Sequence, residues 1–342
     1  MLARSLIVAW VVAAACTHGR TAPPPLPLAN VQPEPAIPAP PLGELLAKAT
    51  SRVLAIDDRL YAVGSGPVLI SRDRGATFAP WSAPANLCAS MVVGAGTHLY
   101  AVAARCSATD VRTSPDELYR SFDGGDTWDD VGLTTAILRG VDARDPRVVY
   151  ADTSCGSSNR QLCRSDDAGV TWQPMTVPAA SPAYAMLTGR LFVADTGSLF
   201  YAPPRDTRYE LDRSDDRGAT WRAVVTADAP ADLAIEAVLA DGSLVGQDLD
   251  HCRIVRSVSG GPFTTVLEPA TCEPGTAIAG TGMYACAVIA DDQVMASRDS
   301  GATWRAVAMP PRGQALRYAC YATRDRVLVG AGDRLDGLAP PW

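Results

Sequence analysis

One short pattern is repeated along most of this chain. It consists of a serine, an aspartate two residues later, a glycine two residues after the aspartate, and then a threonine followed by Trp or Phe. Five intact copies begin at Ser71, Ser121, Ser165, Ser214 and Ser297. A sixth copy begins at Ser257 but lacks the aspartate. Neighbouring copies lie roughly 40 to 50 residues apart, a period that is typical of a repeated unit of four short strands.

The pattern S-x-D-x-G-x-T-W/F resembles the Asp-box, or BNR repeat, of sialidases, sortilin-type receptors and related β-propellers. The resemblance covers the chain from about residue 51 onward and implies that each box is a structural turn between two strands. The aspartate can accept backbone N–H bonds across such a turn, and the glycine can adopt a positive φ. The aromatic residue can pack between blades. The residues expected to stabilise the blades in this way are Asp73, Asp123, Asp167, Asp216, Asp299, Trp128, Trp172, Trp221 and Trp304.

The segments between the boxes have the pattern of short strands. In the first period, runs rich in β-branched and aromatic residues occupy 52–56, 60–63, 67–70 and 77–81, and no stretch of the chain has a helical period. The sequence therefore predicts an all-β propeller of four-stranded blades. Two further runs, at 316–322 and 326–329, follow the sixth period. We predict seven blades with the last one partial, which residues 44–50 could complete. Six blades, with these runs lying over the ring, is the alternative.

The N-terminus has the pattern of an export signal. Residues 1–15 contain Arg4 and then an apolar run that is too short to span a bilayer. Three alanines followed by Cys16 resemble the lipobox of bacterial lipoproteins, in which the peptide is cut before the cysteine and its sulfur is lipidated. We expect Cys16 to carry such an anchor, with ordinary signal cleavage as the alternative. Thr17 follows the cysteine, and the lack of an aspartate there resembles lipoproteins that are sent on to an outer membrane. We therefore expect a protein anchored in that membrane that faces the periplasm or the cell surface.

The next segment is rich in proline. Residues 16–43 would form the lipidated cysteine and a semi-rigid, extended spacer, and residues 44–342 would form the propeller domain. The formal net charge is −7, with the acidic residues dispersed among the boxes. Nucleic acid is not expected as a partner, because phosphate binding requires a basic surface. We expect a monomer that contacts the membrane only through its lipid anchor.

Cys16 is accompanied by eight further cysteines. An even number behind an export signal favours disulfides. The blade scheme suggests four disulfides, each between cysteines that follow one another in the sequence. The pairs are Cys88 with Cys106, Cys155 with Cys163, Cys252 with Cys272, and Cys286 with Cys320. No C-x₂-C pair is present and histidines are few, so we expect neither a metal nor another cofactor.

The resemblance also implies where a ligand would bind. In Asp-box propellers the ligand face lies opposite the boxes. The loops between second and third strands share this face with those that lead from a fourth strand to the next first strand. Here the loops between second and third strands would be 104–116, 153–160, 202–212 and 248–251. The candidate ligand-binding residues are Arg105, Arg112, Arg160, Arg205, Arg208, Tyr209, Asp250 and His251, and the same loops contain Asp110, Asp116 and Glu210.

Catalysis of the sialidase type would require further residues. A sialidase uses three convergent arginines, an acidic aspartate, and a tyrosine nucleophile activated by a glutamate. The stretch that matches the first arginine motif begins at Arg52 but lacks its proline, and the neighbours Tyr209 and Glu210 would point to opposite faces of a strand. We therefore predict a non-catalytic module that binds a protein, a peptide or a glycan. An exo-acting glycoside hydrolase of the sialidase type is the alternative, and a purely structural envelope component remains a third possibility.

Overall fold

The chain divides into two units, Met1–Pro38 and Ala39–Trp342. The computed structural model describes residues 52–56, 59–63, 68–81, 87–105, 114–134, 136–156, 160–178, 189–203, 211–224, 230, 233–269, 277–289, 293–308, 319–331 and 334–342. All of these belong to the second unit. The predicted signal peptide, Cys16 and the proline-rich spacer lie outside the described residues. Within the part of the chain that is described, no helix is long and apolar enough to cross a membrane.

The described residues form antiparallel sheets that follow one another along the chain. The first sheet contains β1 (Arg52–Ile56), β2 (Arg59–Val63), β3 (Leu69–Ser71) and β4 (Ala79–Pro80). The second contains β5 (Leu87–Ala95), β6 (His98–Arg105), β7 (Glu117–Ser121) and β8 (Asp129–Thr134). The third contains β9 (Ile137–Val141), β10 (Val149–Thr153), β11 (Gln161–Ser165) and β12 (Gln173–Pro174).

The remaining sheets repeat this order. The fourth contains β13 (Arg190–Val193), β14 (Leu199–Ala202), β15 (Asp212–Ser214) and β16 (Arg222–Ala223). The fifth contains β17 (Leu233–Val238), β18 (Leu244–Asp248), β19 (Arg253–Ser257) and β20 (Thr264–Leu267). The sixth contains β21 (Ala277–Thr281), β22 (Tyr284–Ile289), β23 (Gln293–Ser297) and β24 (Arg305–Ala306). The seventh contains β25 (Ala319–Ala322), β26 (Val327–Ala331) and β27 (Arg334–Leu338).

The sheets are arranged around an axis formed by their first strands. Each first strand contacts the first strand of the next sheet, from β1 through β5, β9, β13, β17 and β21 to β25, and β25 contacts β1. The all-β propeller predicted from the repeat is confirmed. The seventh sheet differs from the prediction, because β27 adds a third strand where the sequence predicts two. Residues 44–50, which we predicted to complete that sheet, lie outside the described residues.

The core lies between neighbouring sheets. The second strands are buried along nearly their whole length, because each is covered by another sheet on both faces. The second strands of the first four sheets carry a large aromatic residue at one equivalent position. None of these residues has any exposed surface: Tyr61, Tyr100, Tyr150 and Phe200. Each such ring buries on the order of 150–250 Å². These rings fill the space between the sheets and set the sheets in a fixed position around the axis.

Some strand boundaries differ from those predicted. We predicted that the fourth strand of the first sheet covers residues 77–81, but β4 starts at Ala79. Thr77 is held in the turn instead, since its hydroxyl donates to Asp73. In the second sheet, β5 pairs with β6 on both sides of an irregular register at residues 89–91.

Disulfides join cysteines within one sheet and between two sheets. Cys155 is bonded to Cys163 across the loop between β10 and β11, with their Cα atoms 6.2 Å apart. Cys286 of β22 is bonded to Cys320 of β25, with Cα atoms 5.7 Å apart, which fastens the sixth sheet to the seventh. These are two of the pairs that the blade scheme suggests. Two further cysteines, Cys88 and Cys252, are also disulfide-bonded, and their expected partners, Cys106 and Cys272, lie outside the described residues.

Candidate functional site

The repeated turns share one set of hydrogen bonds. In the second sheet, the hydroxyl of Ser121 donates to Oδ1 of Asp123 (2.7 Å) and accepts from the backbone N–H of Gly125 (2.8 Å). The backbone N–H and the hydroxyl of Thr127 donate to the two carboxylate oxygens of Asp123, over 2.9 and 2.6 Å. The same four bonds occur in the other intact copies, those of Asp73, Asp167, Asp216 and Asp299. The carboxylates are therefore engaged within their own turns.

These donors stabilise the ionised form of the aspartates. The hydroxyl of Thr220, followed by its backbone N–H, lowers the pKa of Asp216 to about 2. The hydroxyl and N–H of Thr127 likewise hold the pKa of Asp123 well below its usual range. Burial alone would raise the pKa of Asp299, but the hydrogen bonds from Thr303 outweigh it and lower that pKa. A carboxylate that stays ionised and carries three donors suits a turn better than general acid catalysis.

The copy without aspartate is one residue shorter, but it keeps two consecutive residues with positive φ. In the intact copies the residue after the aspartate and the following glycine both have positive φ, as Arg217 (60°) and Gly218 (87°) do. In the worn copy, Ser259 (52°) and Gly260 (81°) have the same conformation. Here the hydroxyl of Ser257 donates to the carbonyl oxygen of Gly261 instead. A pair of positive-φ residues therefore forms in this turn without the aspartate.

Four arginines connect the third strand of one sheet to the repeated turn of the next, and the sequence did not lead us to predict them. The side chain of the arginine before the repeat serine donates to a backbone carbonyl in the turn of the next sheet. The guanidinium of Arg164, for example, donates over 3.0 Å to the carbonyl oxygen of Arg217, the first positive-φ residue of that turn. The same bond is formed by Arg120 to Ala168, by Arg213 to Ser259 and by Arg256 to Ser300. The sequence feature that could have predicted these bonds is the arginine that precedes the serine in four copies of the repeat. The other two copies have Ile70 and Ala296 at this position.

The sheets have two distinct ends. Because neighbouring strands are antiparallel, the turns between first and second strands lie at the same end as the repeated turns. We call this the turn end; Arg74 of a repeated turn forms an ion pair there with Asp325 of a first-to-second turn, over 2.7 Å. The opposite end, where the second strands lead into the third, is called the loop end. It corresponds to the predicted ligand face.

At the loop end the structure brings some of the candidate residues together and separates others. Arg160 lines a cleft of about 400 Å³ between the second and third sheets, together with Ser90, Met91, Val102, Asp116, Ala136 and Ile137. Asp250 and His251 lie in the β18–β19 turn of the fifth sheet, where Nδ1 of His251 is 2.9 Å from a carboxylate oxygen of the buried Asp248. Arg105 is exposed at the end of β6. The other four candidates, Arg112, Arg205, Arg208 and Tyr209, lie outside the described residues.

A tyrosine–glutamate pair does occur near the loop end, but not the one considered from the sequence. The hydroxyl of Tyr119 donates to Oε2 of Glu117 over 3.0 Å, because residues two apart in β7 point to the same face. Only 5% of Tyr119 is exposed, and it belongs to the core between the first and second sheets. Burial, reinforced by the neighbouring Glu117, raises the pKa of Tyr119. A nucleophilic tyrosine would need the opposite shift.

A cavity lined by described residues lies on the axis. It has a volume of about 670 Å³, and its wall is formed mainly by the first strands. The lining side chains include the apolar Ile56, Val93, Ala95, Val141, Val193 and Tyr284. Its charged residues are Arg74, Arg139, Arg324 and Asp195. Within the described residues, no group of three His, Cys, Asp or Glu side chains comes together as a metal site.

Arg139 is the charged residue of the cavity that lies within a first strand. Its Nε donates over 3.0 Å to Oδ2 of Asp152, whose side chain has no exposed surface. A buried carboxylate requires such a partner, since an unpaired charge in the core is costly. The ion pair therefore leaves much of the charge of Arg139 compensated within the protein, while the apolar side chains around it form the rest of the wall.

No protein-family model and no curated protein matches the chain. Its fold is similar to that of YCF48 bound to a D1 peptide, with a TM-score of 0.56 and 17% identity over 85% of this chain and 93% of that one. It is also similar to YCF48 from Cyanidioschyzon merolae, with a TM-score of 0.52 and 16% identity over 84% of this chain and 94% of that one. A third similar structure is puromycin hydrolase, with a TM-score of 0.54 and 13% identity over 89% of this chain and 56% of that one. At these identities the likeness extends to the propeller fold alone.

Proposed function

We propose that this chain is a non-catalytic binding protein whose propeller, carried on an exported lipoprotein, binds a protein or peptide. The axial cavity is the observation that carries the proposal. Its volume of about 670 Å³ falls within the range typical of ligand sites, and its wall combines apolar side chains with a few charged ones. This is the composition expected of a site that recognises a partly apolar ligand.

The composition of the wall favours a peptide over a glycan among the ligands predicted from the sequence. A sugar would place its hydroxyl groups against Ile56, Val141 and Val193, which offer no side-chain hydrogen bonds. Burying a hydroxyl without a partner costs on the order of 1–3 kcal/mol. Aliphatic peptide side chains would instead gain by contact with this wall. YCF48, which has a similar fold, was solved bound to a D1 peptide, and this supports a peptide as the ligand.

The alternative is an exo-acting glycoside hydrolase of the sialidase type. The hydrogen bond between Tyr119 and Glu117 is the observation that favours it. The burial of Tyr119 and the direction of its pKa shift count against it, as does the pairing of Arg139 with Asp152. An arginine held by a buried carboxylate is poorly placed to clamp the carboxylate of a sugar.

Two measurements on the purified full chain test the proposal. A random linear peptide library is selected on the immobilised protein, and the enriched peptides are titrated by calorimetry. We expect saturable binding of several of them. In parallel, a fluorogenic sialoside is incubated with the same protein, and we expect no turnover. Failure to enrich any peptide, together with turnover that disappears in a folded Glu117→Gln variant, would reject the binding role and establish the hydrolase.

A further inference from the structure

We infer that the axial cavity opens at the turn end, opposite the predicted ligand face, and that it receives a peptide segment with acidic and aliphatic side chains. This inference rests on the proposed function and specifies its site and its ligand.

The position of the cavity follows from the strand ends that line it. Ile56, Ala95, Val141 and Val193 are the last residues of β1, β5, β9 and β13, and all four line the cavity. Gly282 follows the end of β21, and Thr323 and Arg324 follow the end of β25; these also line it. First strands end where the first-to-second turns begin. The cavity therefore lies at the turn end of the axis, while Arg160 and His251 lie at the other end.

The mouth of the cavity is apolar on one side. Met283 is 49% exposed and lies between Gly282 and Tyr284, which both line the cavity. Tyr284 is held in place by Trp342, with the two ring centroids 5.9 Å apart. Val93 and Val193 are only partly buried. Exposed apolar side chains next to an apolar cavity are typical of a surface that binds another molecule.

Most of the charged residues that line the cavity are arginines. Three arginines and one aspartate line it, whereas the whole chain has a formal net charge of −7. Asp152 compensates Arg139, and Asp325 compensates Arg74. Arg324 is exposed and belongs to none of the ion pairs found between described residues, and its backbone is fixed by a hydrogen bond from Trp342. A guanidinium in this position suits a carboxylate, which it can bind through two parallel hydrogen bonds.

The backbone around the axis favours a peptide over another amphipathic anion. Each first strand pairs within its sheet with the second strand only, so its other edge faces the axis. Such an edge presents backbone N–H and C=O groups that an extended peptide can bind. A peptide could place carboxylates near Arg324 and aliphatic side chains against Val141 and Val193. Its backbone could at the same time bind the strand edges, so the charge, the apolar wall and the edges would all be used.

The test compares two labelled peptides that differ only in charge: Glu-Ala-Leu-Glu-Val-Ala and Lys-Ala-Leu-Lys-Val-Ala, titrated with the full chain by fluorescence polarisation. We expect the Glu peptide to bind, and the Lys peptide to bind about tenfold more weakly. Arg324→Glu should weaken binding of the Glu peptide about five- to tenfold, in line with one partly exposed ion pair turned into a repulsion. Met283→Ser should also weaken it, because the apolar lip is lost.

Two charge-reversed controls locate the site. Arg298 is an exposed arginine of a repeated turn at the same end that does not line the cavity, and Arg160 lines the cleft at the loop end. Arg298→Glu and Arg160→Glu should each change the affinity by less than about twofold, the size expected of a remote surface charge. Melting temperatures of all variants show whether they remain folded.

The possible failures are distinguishable. If the library peptides bind but Arg160→Glu weakens them and Arg324→Glu does not, the inference is wrong and the proposed function stands with its site at the loop end. Equal affinity for the Glu and Lys peptides would also overturn the inference. If no library peptide binds, the proposed function fails and the inference fails with it.

Discussion

Arg164 and Arg217 connect the third sheet to the fourth in both directions. A guanidinium nitrogen of Arg164 donates to the carbonyl oxygen of Arg217 over 3.0 Å, and Nε of Arg217 donates back to Oδ2 of Asp142 over 2.8 Å. The side chain of Asp142 is fully buried and is also bound by Arg144. Burial alone would raise the pKa of Asp142, but the hydrogen bonds from Arg144 and Arg217 outweigh it and lower that pKa. The two sheets are thus joined by charged hydrogen bonds as well as by apolar packing.

We predict that Arg217→Ala destabilises the protein by about 1–3 kcal/mol, because Oδ2 of a buried carboxylate loses a donor. The free energy of unfolding is measured by urea titration. Arg298→Ala is the matched control, since it removes an exposed arginine from a repeated turn, and it should change the stability by less than about 0.5 kcal/mol. Equal losses in the two variants would contradict a role of Arg217 in joining the sheets.

The sequence predicted the features that depend on a few neighbouring residues. The turn around Asp123 is formed by residues within one copy of the repeat, so its pattern is visible in the sequence and predicts the strands on either side. The connection from Arg164 to Arg217 could also have been predicted, because an arginine precedes the serine in four copies. The third strand of the last sheet, Arg334–Leu338, was missed because no copy of the repeat follows it.

The candidate site could not be predicted in the same way. The wall of the axial cavity is built from single residues of several sheets, such as Ile56, Val141 and Arg324, which are far apart in the chain. No local pattern marks them. The pair formed by Glu117 and Tyr119 was within reach, since residues two apart in a strand share a face, but the sequence drew attention to the adjacent Tyr209 and Glu210 instead.

We predict that the protein loses stability in acid through its repeated turns. The pKa of Asp216 is about 2 in the folded protein against an ordinary value of 3.8, and the pKa of the other four repeat aspartates is also lowered. A carboxylate whose pKa is lower in the folded than in the unfolded protein stabilises the fold fully at any pH well above its unfolded pKa. This stabilisation is therefore lost as the pH falls through about 4 towards 2.

Urea titrations between neutral pH and pH 2 measure this loss. Asp216→Asn cannot ionise at that position, so its stability should fall less steeply in acid than that of the wild type, although it is lower at neutral pH. Identical slopes for the two proteins would show that Asp216 does not contribute to the acid sensitivity.

We predict that Cys16 carries a lipid, because a short apolar run and three alanines precede it. Cells that express the full chain are labelled with a fatty-acid analogue, and the wild type should be labelled while Cys16→Ser is not. Cys16→Ser should also leave the membrane fraction. Equal labelling of both proteins would argue for ordinary signal cleavage.

The last prediction concerns the disulfide that fastens the sixth sheet to the seventh. Cys286 and Cys320 are 34 residues apart, whereas Cys155 and Cys163 are 8 apart. Because a longer closed loop restricts the unfolded chain more, replacing Cys286 and Cys320 by alanine should cost about 3–4 kcal/mol, against about 2–3 kcal/mol for the shorter pair.

The same double variant should also weaken peptide binding, because β25 leads directly to Arg324 at the mouth of the axial cavity. Calorimetry under non-reducing conditions gives the melting temperatures, and fluorescence polarisation with the Glu peptide gives the affinities. The Cys155→Ala, Cys163→Ala variant is the control: it should melt at a lower temperature than the wild type but bind the peptide with unchanged affinity. If both double variants bind equally well, the seventh sheet does not need this disulfide to hold Arg324 in place.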